Sequence, residues 1–401
     1  MTPMLVTNIG RLFTSTAAGV LTDVAVLVDH ERIAWIGRSD ERPPIEPGET
    51  VDVEDALVTP GLIDAHSHPV YAGDRLAEIA MRSAGATYGD IVAAGGGIRS
   101  TVTATREASR EELAWLVEAR LASWLAQGTT TVEAKTGYHL ERHGELTAVR
   151  LLAQMARSPR LPRVEVTLLG AHDVGPEHEG RADGYIDEVA AWCPEAAGAG
   201  ARFVDVFCDV GYFSPAQARR VLAAGAAAGL RARVHADELA RSGGSALAAE
   251  VGAVSADHLL FAEEEEARAL AAAGVVATLC PVTALAMRRV PSARLLLDHG
   301  TTLALGSDHN PGQSGTTSMS LIVGLAVHVL GLSVDEALVA ATAGGAAAVD
   351  APERGTVAVG QVADLVAWDA EHEGAFAWQL GLPPRWVWKG GRALVSEEGE
   401  Q

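Results

Sequence analysis

The stretch Val58-Thr59-Pro60-Gly61-Leu62-Ile63-Asp64-Ala65-His66-Ser67-His68 decides how this chain is read. A strand predicted over residues 56–64 runs into Asp64-Ala65-His66-Ser67-His68. Side chains alternate along an extended chain, so His66 and His68 point to the same side. Two imidazoles placed this way can meet one metal ion at about 2.0–2.1 Å. An H-x-H pair alone is a weak signal, because histidine pairs also occur at surfaces and in cores. The rest of the chain has to decide.

Downstream, seven further strands are predicted over residues 129–135, 163–170, 202–209, 231–236, 255–260, 275–280 and 302–306. Helical patterns with recognisable starts follow most of them. Ser109 and Glu112 form a capping-box signature before residues 113–126, and Gly128 suits the exit. Ser214 with Pro215, and Ser333 with Glu336, open two more helices. Eight β–α units over residues 56–350 predict an α/β fold, a (β/α)8 TIM-like barrel. A doubly wound sheet is the rival, but it calls for a glycine-rich phosphate turn after the first strand. Ala94-Gly95-Gly96-Gly97-Ile98 follows no strand and reads as a loop. Period-two patterning at both chain ends (24–28, 33–37, 363–368, 385–388) predicts short strands. Residues 1–55 and 351–401 are therefore expected to join in a small β-sandwich domain beside the barrel.

A TIM barrel carries its chemistry at the C-terminal ends of its strands. Those ends read His66-Ser67-His68, His235-Ala236-Asp237-Glu238, Asp257-His258 and Ser307-Asp308-His309-Asn310. A lone histidine there is ordinarily a buried hydrogen-bonded residue, and a lone aspartate a cap. Taken together, His66, His68, His235 and Asp308 offer three imidazoles and a carboxylate to one rim. That set, with an open position, suits a catalytic Zn²⁺ or Fe²⁺. His309 is left out, because its side chain should oppose that of Asp308. His328 reads as a helix-face residue and Cys280 as a small buried hydrophobe.

The composition excludes other classes. Lys+Arg number 31 against 52 Asp+Glu in 401 residues, a formal charge of −21, which repels phosphate backbones and argues against nucleic acid. Lys135 and Lys389 are the only lysines, so no polybasic membrane patch exists. No charge-free apolar run approaches ~18 residues, and the N-terminus lacks a signal-peptide pattern. The three cysteines (Cys193, Cys208, Cys280) are too few for a disulfide framework, so a cytoplasmic protein is expected.

The chain resembles the amidohydrolase superfamily through the opening stretch and through Gly355-Thr356-Val357, Gly360 and Ala363-Asp364-Leu365-Val366. Within it the chain is similar to the imidazolonepropionase family. That narrower likeness rests on Gly85-Ala86-Thr87-Tyr88, Ala94–Ile98 and residues 101–106, on residues 132–138 (VEAKTGY), and on Leu169-Gly170-Ala171-His172. His235–Glu238, residues 255–258 and Asp308-His309-Asn310-Pro311-Gly312 belong to the same set. The resemblance implies a metal-dependent hydrolase that opens the cyclic amide C–N bond of 4-imidazolone-5-propanoate, giving N-formimino-L-glutamate. It implies one divalent metal, Zn or Fe, on His66, His68, His235 and Asp308. Catalytic roles fall to Glu238, His258 and Asp308. Substrate contacts fall to Arg75, Tyr138, His172, Glu238, Asn310, Gly312 and Gln313. Arg75 supplies the positive clamp that an anionic propionate needs. A homodimer is the family-level expectation.

Three positions depart from the family pattern. Gln313 stands for a small hydroxyl residue, His139 for glycine, and Asp74 for serine, where it could pair with Arg75. Lys135 ends the second barrel strand, where some superfamily members carry a carbamylated lysine bridging two metals. The His-Ala-Asp-Glu segment resembles the one-metal branch, which leaves Lys135 a structural or electrostatic residue. Two rival functions stay open: a deaminase or formimino hydrolase on another heterocycle, needing no propionate clamp, and a non-catalytic scaffold.

Overall fold

The computed structural model describes residues 3–44, 46–86, 90–91 and 94–395. Thr87 and Tyr88 of the Gly85–Tyr88 stretch lie outside the described residues. The chain starts with β1 (Met4–Phe13), β2 (Val20–Asp29), β3 (Arg32–Gly37), β4 (Glu49–Asp52) and β5 (Leu57–Pro60). It continues with β6 (Leu62–Ser67), β7 (Thr129–Lys135), β8 (Arg163–Ala171), β9 (Phe203–Cys208), β10 (Arg231–Ala236), β11 (Ser255–His258), β12 (Val276–Leu279) and β13 (Leu303–Leu305). It ends with β14 (Leu365–Trp368), β15 (Pro384–Lys389) and β16 (Arg392–Val395).

Strands β6 to β13 pair in sequence order, and every pairing between them is parallel. Helices fill the crossovers, as a (β/α)8 barrel requires. The terminal strands form a separate mixed sheet of eight strands, ordered β16-β15-β14-β5-β1-β2-β3, with β4 on β1. The fold class expected from the sequence is the one observed. The helix starts also behave as their residues dictate. Ser214 with Gln217 and Ser333 with Glu336 make reciprocal capping boxes, and Ser109 Oγ accepts the Glu112 N–H.

One strand needs correcting. Residues 56–64 are not a single strand but divide at Gly61 between the two sheets. β5 pairs antiparallel with β14, whereas β6 pairs with β7. Gly61 makes the transfer possible because a Cβ there would lie 2.2 Å from Thr130 Oγ1. Its N–H donates to Asp364 O across 2.8 Å, stitching the two chain ends together. The opening stretch thus ties the terminal sheet to the barrel.

The barrel closes between β13 and β6 at the histidines themselves. Asp308 N–H donates to His66 O (3.0 Å), and His68 N–H donates to His309 O (2.8 Å). Gly306 permits this seam, since a Cβ there would sit 2.6 Å from His66 Cβ. Over-packing of this kind costs about 1–3 kcal/mol. Gly306→Ala should therefore lower the urea midpoint. Gly198→Ala, on an exposed helix face with nothing within 4 Å, should leave it unchanged or raise it.

Candidate active site

Three barrel strands, β6, β10 and β13, bring ring nitrogens and a carboxylate oxygen to one point. His66 Nε2 lies 3.2 Å from His68 Nε2, which lies 3.4 Å from His235 Nε2. Asp308 Oδ1 is 3.4 Å from His68 Nε2 and 3.6 Å from His66 Nε2. All four side chains are buried. Donor atoms sharing one ion at about 2.0–2.1 Å stand roughly 2.9–3.4 Å apart, so this spacing fits a shared cation. Without one, converging lone pairs in a dry interior would repel. The residues present therefore fit a divalent metal of the kind held by nitrogen and oxygen ligands.

The backbone leaves the β region where the chemistry begins. Asp237, His258 and Asp308 have φ of 50°, 76° and 48°. Non-glycine residues avoid this region unless their surroundings hold them there, and such positions cluster at functional sites. Asp237 holds its turn by accepting the N–H groups of Ser242, Gly243, Gly244 and Ser245. Asp308 is held by the Thr283 hydroxyl at Oδ2. The same left-handed turn carries His309 to Tyr71 OH (3.2 Å) and the Trp124 ring, away from the cluster.

Burial sets the protonation states. It is the main reason that His66 and His68 titrate well below the ordinary imidazole range, with the nearby Lys135 ammonium adding to it. Both rings are therefore neutral, as metal ligands must be. His258 is pushed down to about 4, again chiefly by burial. Glu238 moves the other way, well above the usual carboxylate range, through burial and then the negative charges of Asp308 and Asp209. Its Oε2 lies 3.7 Å from His258 Nε2. Asp209 accepts the N–H of Glu238 (2.7 Å) and of Leu239 (2.8 Å), which aims the glutamate.

A pocket of about 550 Å³ opens over the cluster. His68, His235, His258, Asp308 and Glu238 form its floor, and Arg75, Tyr138, His172, Asn310 and Gln313 line its walls. Gly312 packs behind Arg75, where a Cβ would meet Nη1 at 2.7 Å. Asn310 organises its own loop, accepting Gly312 N–H (2.8 Å) and Gln313 N–H (2.9 Å). His172 stacks on His68 with ring centroids 5.1 Å apart, and its Nδ1 lies 3.0 Å from Gly137 O. Gly137, at φ 113°, leaves the space that this contact needs.

Asp74 does not pair with Arg75; its Oδ1 accepts Leu76 N–H instead. The arginine is forked onto Glu78, with Nε 2.9 Å from Oε1 and Nη2 3.0 Å from Oε2. Glu78 also accepts Gly97 N–H (2.7 Å), so the glycine-rich loop helps to hold the Arg75–Glu78 pair. His139 is buried beside Gly144, its N–H donated to Glu145 Oε1 at 2.8 Å. Glu145 also accepts Gly137 and Leu140 N–H and so holds the loop carrying Tyr138. Sequence reasoning gave Glu78, Glu145 and Asp209 no role. It also missed Glu133, Asp205 and Arg233, which lie fully buried below the cluster. A signal existed for these last three: charges in mid-strand of a buried parallel sheet are rare and need partners.

Residues 71–394 match the amidohydrolase family, and the chain belongs to that family. Its relatives within it include the imidazolonepropionase of Sphingopyxis alaskensis, 43% identical over 369 residues, which cover 91% of this chain and 91% of that protein. The imidazolonepropionase of Streptomyces griseus is 42% identical over 393 residues, covering 98% of this chain and 97% of that one. The narrower resemblance read from the sequence is thus borne out. Among solved structures, the triazine hydrolase from Arthobacter aurescens aligns with TM-score 0.76 at 19% identity, covering 99% of this chain and 96% of its own. A Xanthomonas campestris adenosine deaminase with bound zinc aligns with TM-score 0.73 at 20% identity, covering 98% and 93%. At such identities these two speak for the fold alone.

Neutral rings resist proton competition. Metal bound here should survive dialysis through the ordinary histidine range near ~6.5 and be lost only at lower pH. Elemental analysis across a pH series checks this, and release centred near ~6.5 would contradict it.

Proposed function

We propose that this chain is an imidazolonepropionase, hydrolysing the cyclic amide C–N bond of 4-imidazolone-5-propanoate to N-formimino-L-glutamate. The observation that carries the reading is the shared pocket. Arg75, a carboxylate-binding group, lines the same cavity as His68, His235 and Asp308. The 42–43% identity to imidazolonepropionases over nearly the whole chain supports it.

One divalent ion, zinc or iron, is proposed on His66, His68, His235 and Asp308. When bound, such an ion lowers the pKa of water to about 7 and polarises a carbonyl. The protein's own groups do the rest. Asp308, anchored by Thr283, takes the proton of the attacking water. His258, neutral at pH 7, orients the ring carbonyl. Glu238 retains its proton because of burial and can donate it to the leaving ring nitrogen. Arg75, its plane fixed by Glu78, binds the propionate. Tyr138 and His172 wall the imidazolone ring, with Asn310, Gly312 and Gln313 beyond it. A cytoplasmic homodimer belongs to the same reading.

The direct test follows imidazolone absorbance in the ultraviolet, with substrate generated from urocanate by urocanase. The metal-loaded protein should remove the signal faster than spontaneous decay, and no acceleration would defeat the proposal. Arg75→Ala should raise KM by about 10–100-fold, as loss of charge-assisted bonds to a carboxylate implies. An unchanged KM would favour a heterocycle deaminase that needs no clamp. Glu238→Gln should lower kcat by about 10²–10⁴-fold with a smaller effect on KM.

A further inference from the structure

Beneath the ligand cluster lies a set of ionisable side chains with no exposure at all: Glu133, Lys135, Asp205, Arg233 and Asp257. Lys135 Nζ sits among the carboxylates, 2.8 Å from Asp205 Oδ2, 3.0 Å from Glu133 Oε1 and 3.6 Å from Asp257 Oδ2. The two aspartate oxygens nearest the lysine also face the ligand histidines. Asp257 Oδ2 is 2.7 Å from His66 Nδ1, and Asp205 Oδ2 is 3.0 Å from His235 Nδ1. Arg233 supports one branch, with Nη2 3.2 Å from Asp257 Oδ2 and 2.7 Å from Ala65 O. Asp205 supports the other by accepting His235 N–H at 3.2 Å.

We propose that Lys135 is a positioning residue of the metal centre, one ammonium that pins Asp257 and Asp205 and through them orients His66 and His235. The inference rests on the metal reading above. A carboxylate at Nδ1 holds an imidazole in the tautomer that leaves Nε2 bare for a metal. Two such carboxylates in one dry core repel each other, and a buried carboxylate without a cation is costly. A cation between them answers both problems at once. The same placement argues against a bridging carbamate on Lys135. Carbamylation would replace the ammonium with a further negative charge facing the three carboxylates.

The test is metal affinity, measured by competition with a chromophoric chelator, for zinc and the purified protein. Circular dichroism and melting of the metal-free form are recorded alongside. Wild-type protein that binds no zinc would sink the metal reading itself, and this inference with it. If the wild type binds, Lys135→Met, Asp205→Asn and Asp257→Asn should each weaken zinc affinity by about 10–100-fold, the usual cost of losing an outer partner. The Lys135→Met/Asp205→Asn double variant should be weaker than wild type by much less than the product of the single effects. Folded Lys135→Met with wild-type affinity, altered only in the melting of its metal-free form, would show a merely structural lysine and overturn the proposal. Fully multiplicative effects in the double variant would do so too. Should Lys135→Met fail to fold, the two asparagine variants decide: wild-type affinity in both overturns the proposal, and weakened affinity in both upholds it.

Discussion

Four buried donor atoms, each 3.2–3.6 Å from at least one of the others, repel one another unless a cation joins them. Much of the barrel's interior can be understood as accommodation of that constraint. Ligand rings must be neutral, and burial keeps His66 and His68 so. The outer nitrogens of His66 and His235 must be fixed, and Asp257 and Asp205 face that side. Those aspartates must keep their charge, and Lys135 and Arg233 lie against them. Each layer is costly alone and tolerable beside the next.

The same logic explains why the net charge of −21 says so little about the ligand. Surface acids are solvated and screened, whereas a few cations in or near the pocket act at close range. Arg75 is the clearest of these, and its orientation comes from Glu78 rather than from its sequence neighbour Asp74. The proposed affinity for an anion would thus be built locally, against the sign of the whole chain.

How much was legible beforehand differs by layer. Strand order and the barrel followed from periodicity and caps, because those signals are local. The donor cluster was legible because its members lie at or just past strand ends. Gly61 shows where local reading fails: one apolar run serves two sheets, and only the close approach of Thr130 and the bond to Asp364 reveal the break. Glu78, Glu145 and Asp209 were invisible for a related reason. An acid in a helix or after a strand reads as solvated surface until the fold wraps backbone N–H groups and arginines around it.

The barrel, the terminal β strands and the residues that meet in the donor cluster were readable in advance, since these depend on residue type and spacing along the chain. Only the tertiary structure decided which carboxylates face which histidines, which acid holds Arg75, and that Lys135 lies between Asp205 and Asp257. Those partners come from separate strands or lie across a loop. Their pairing depends on strand register and barrel closure, and no spacing along the chain encodes it.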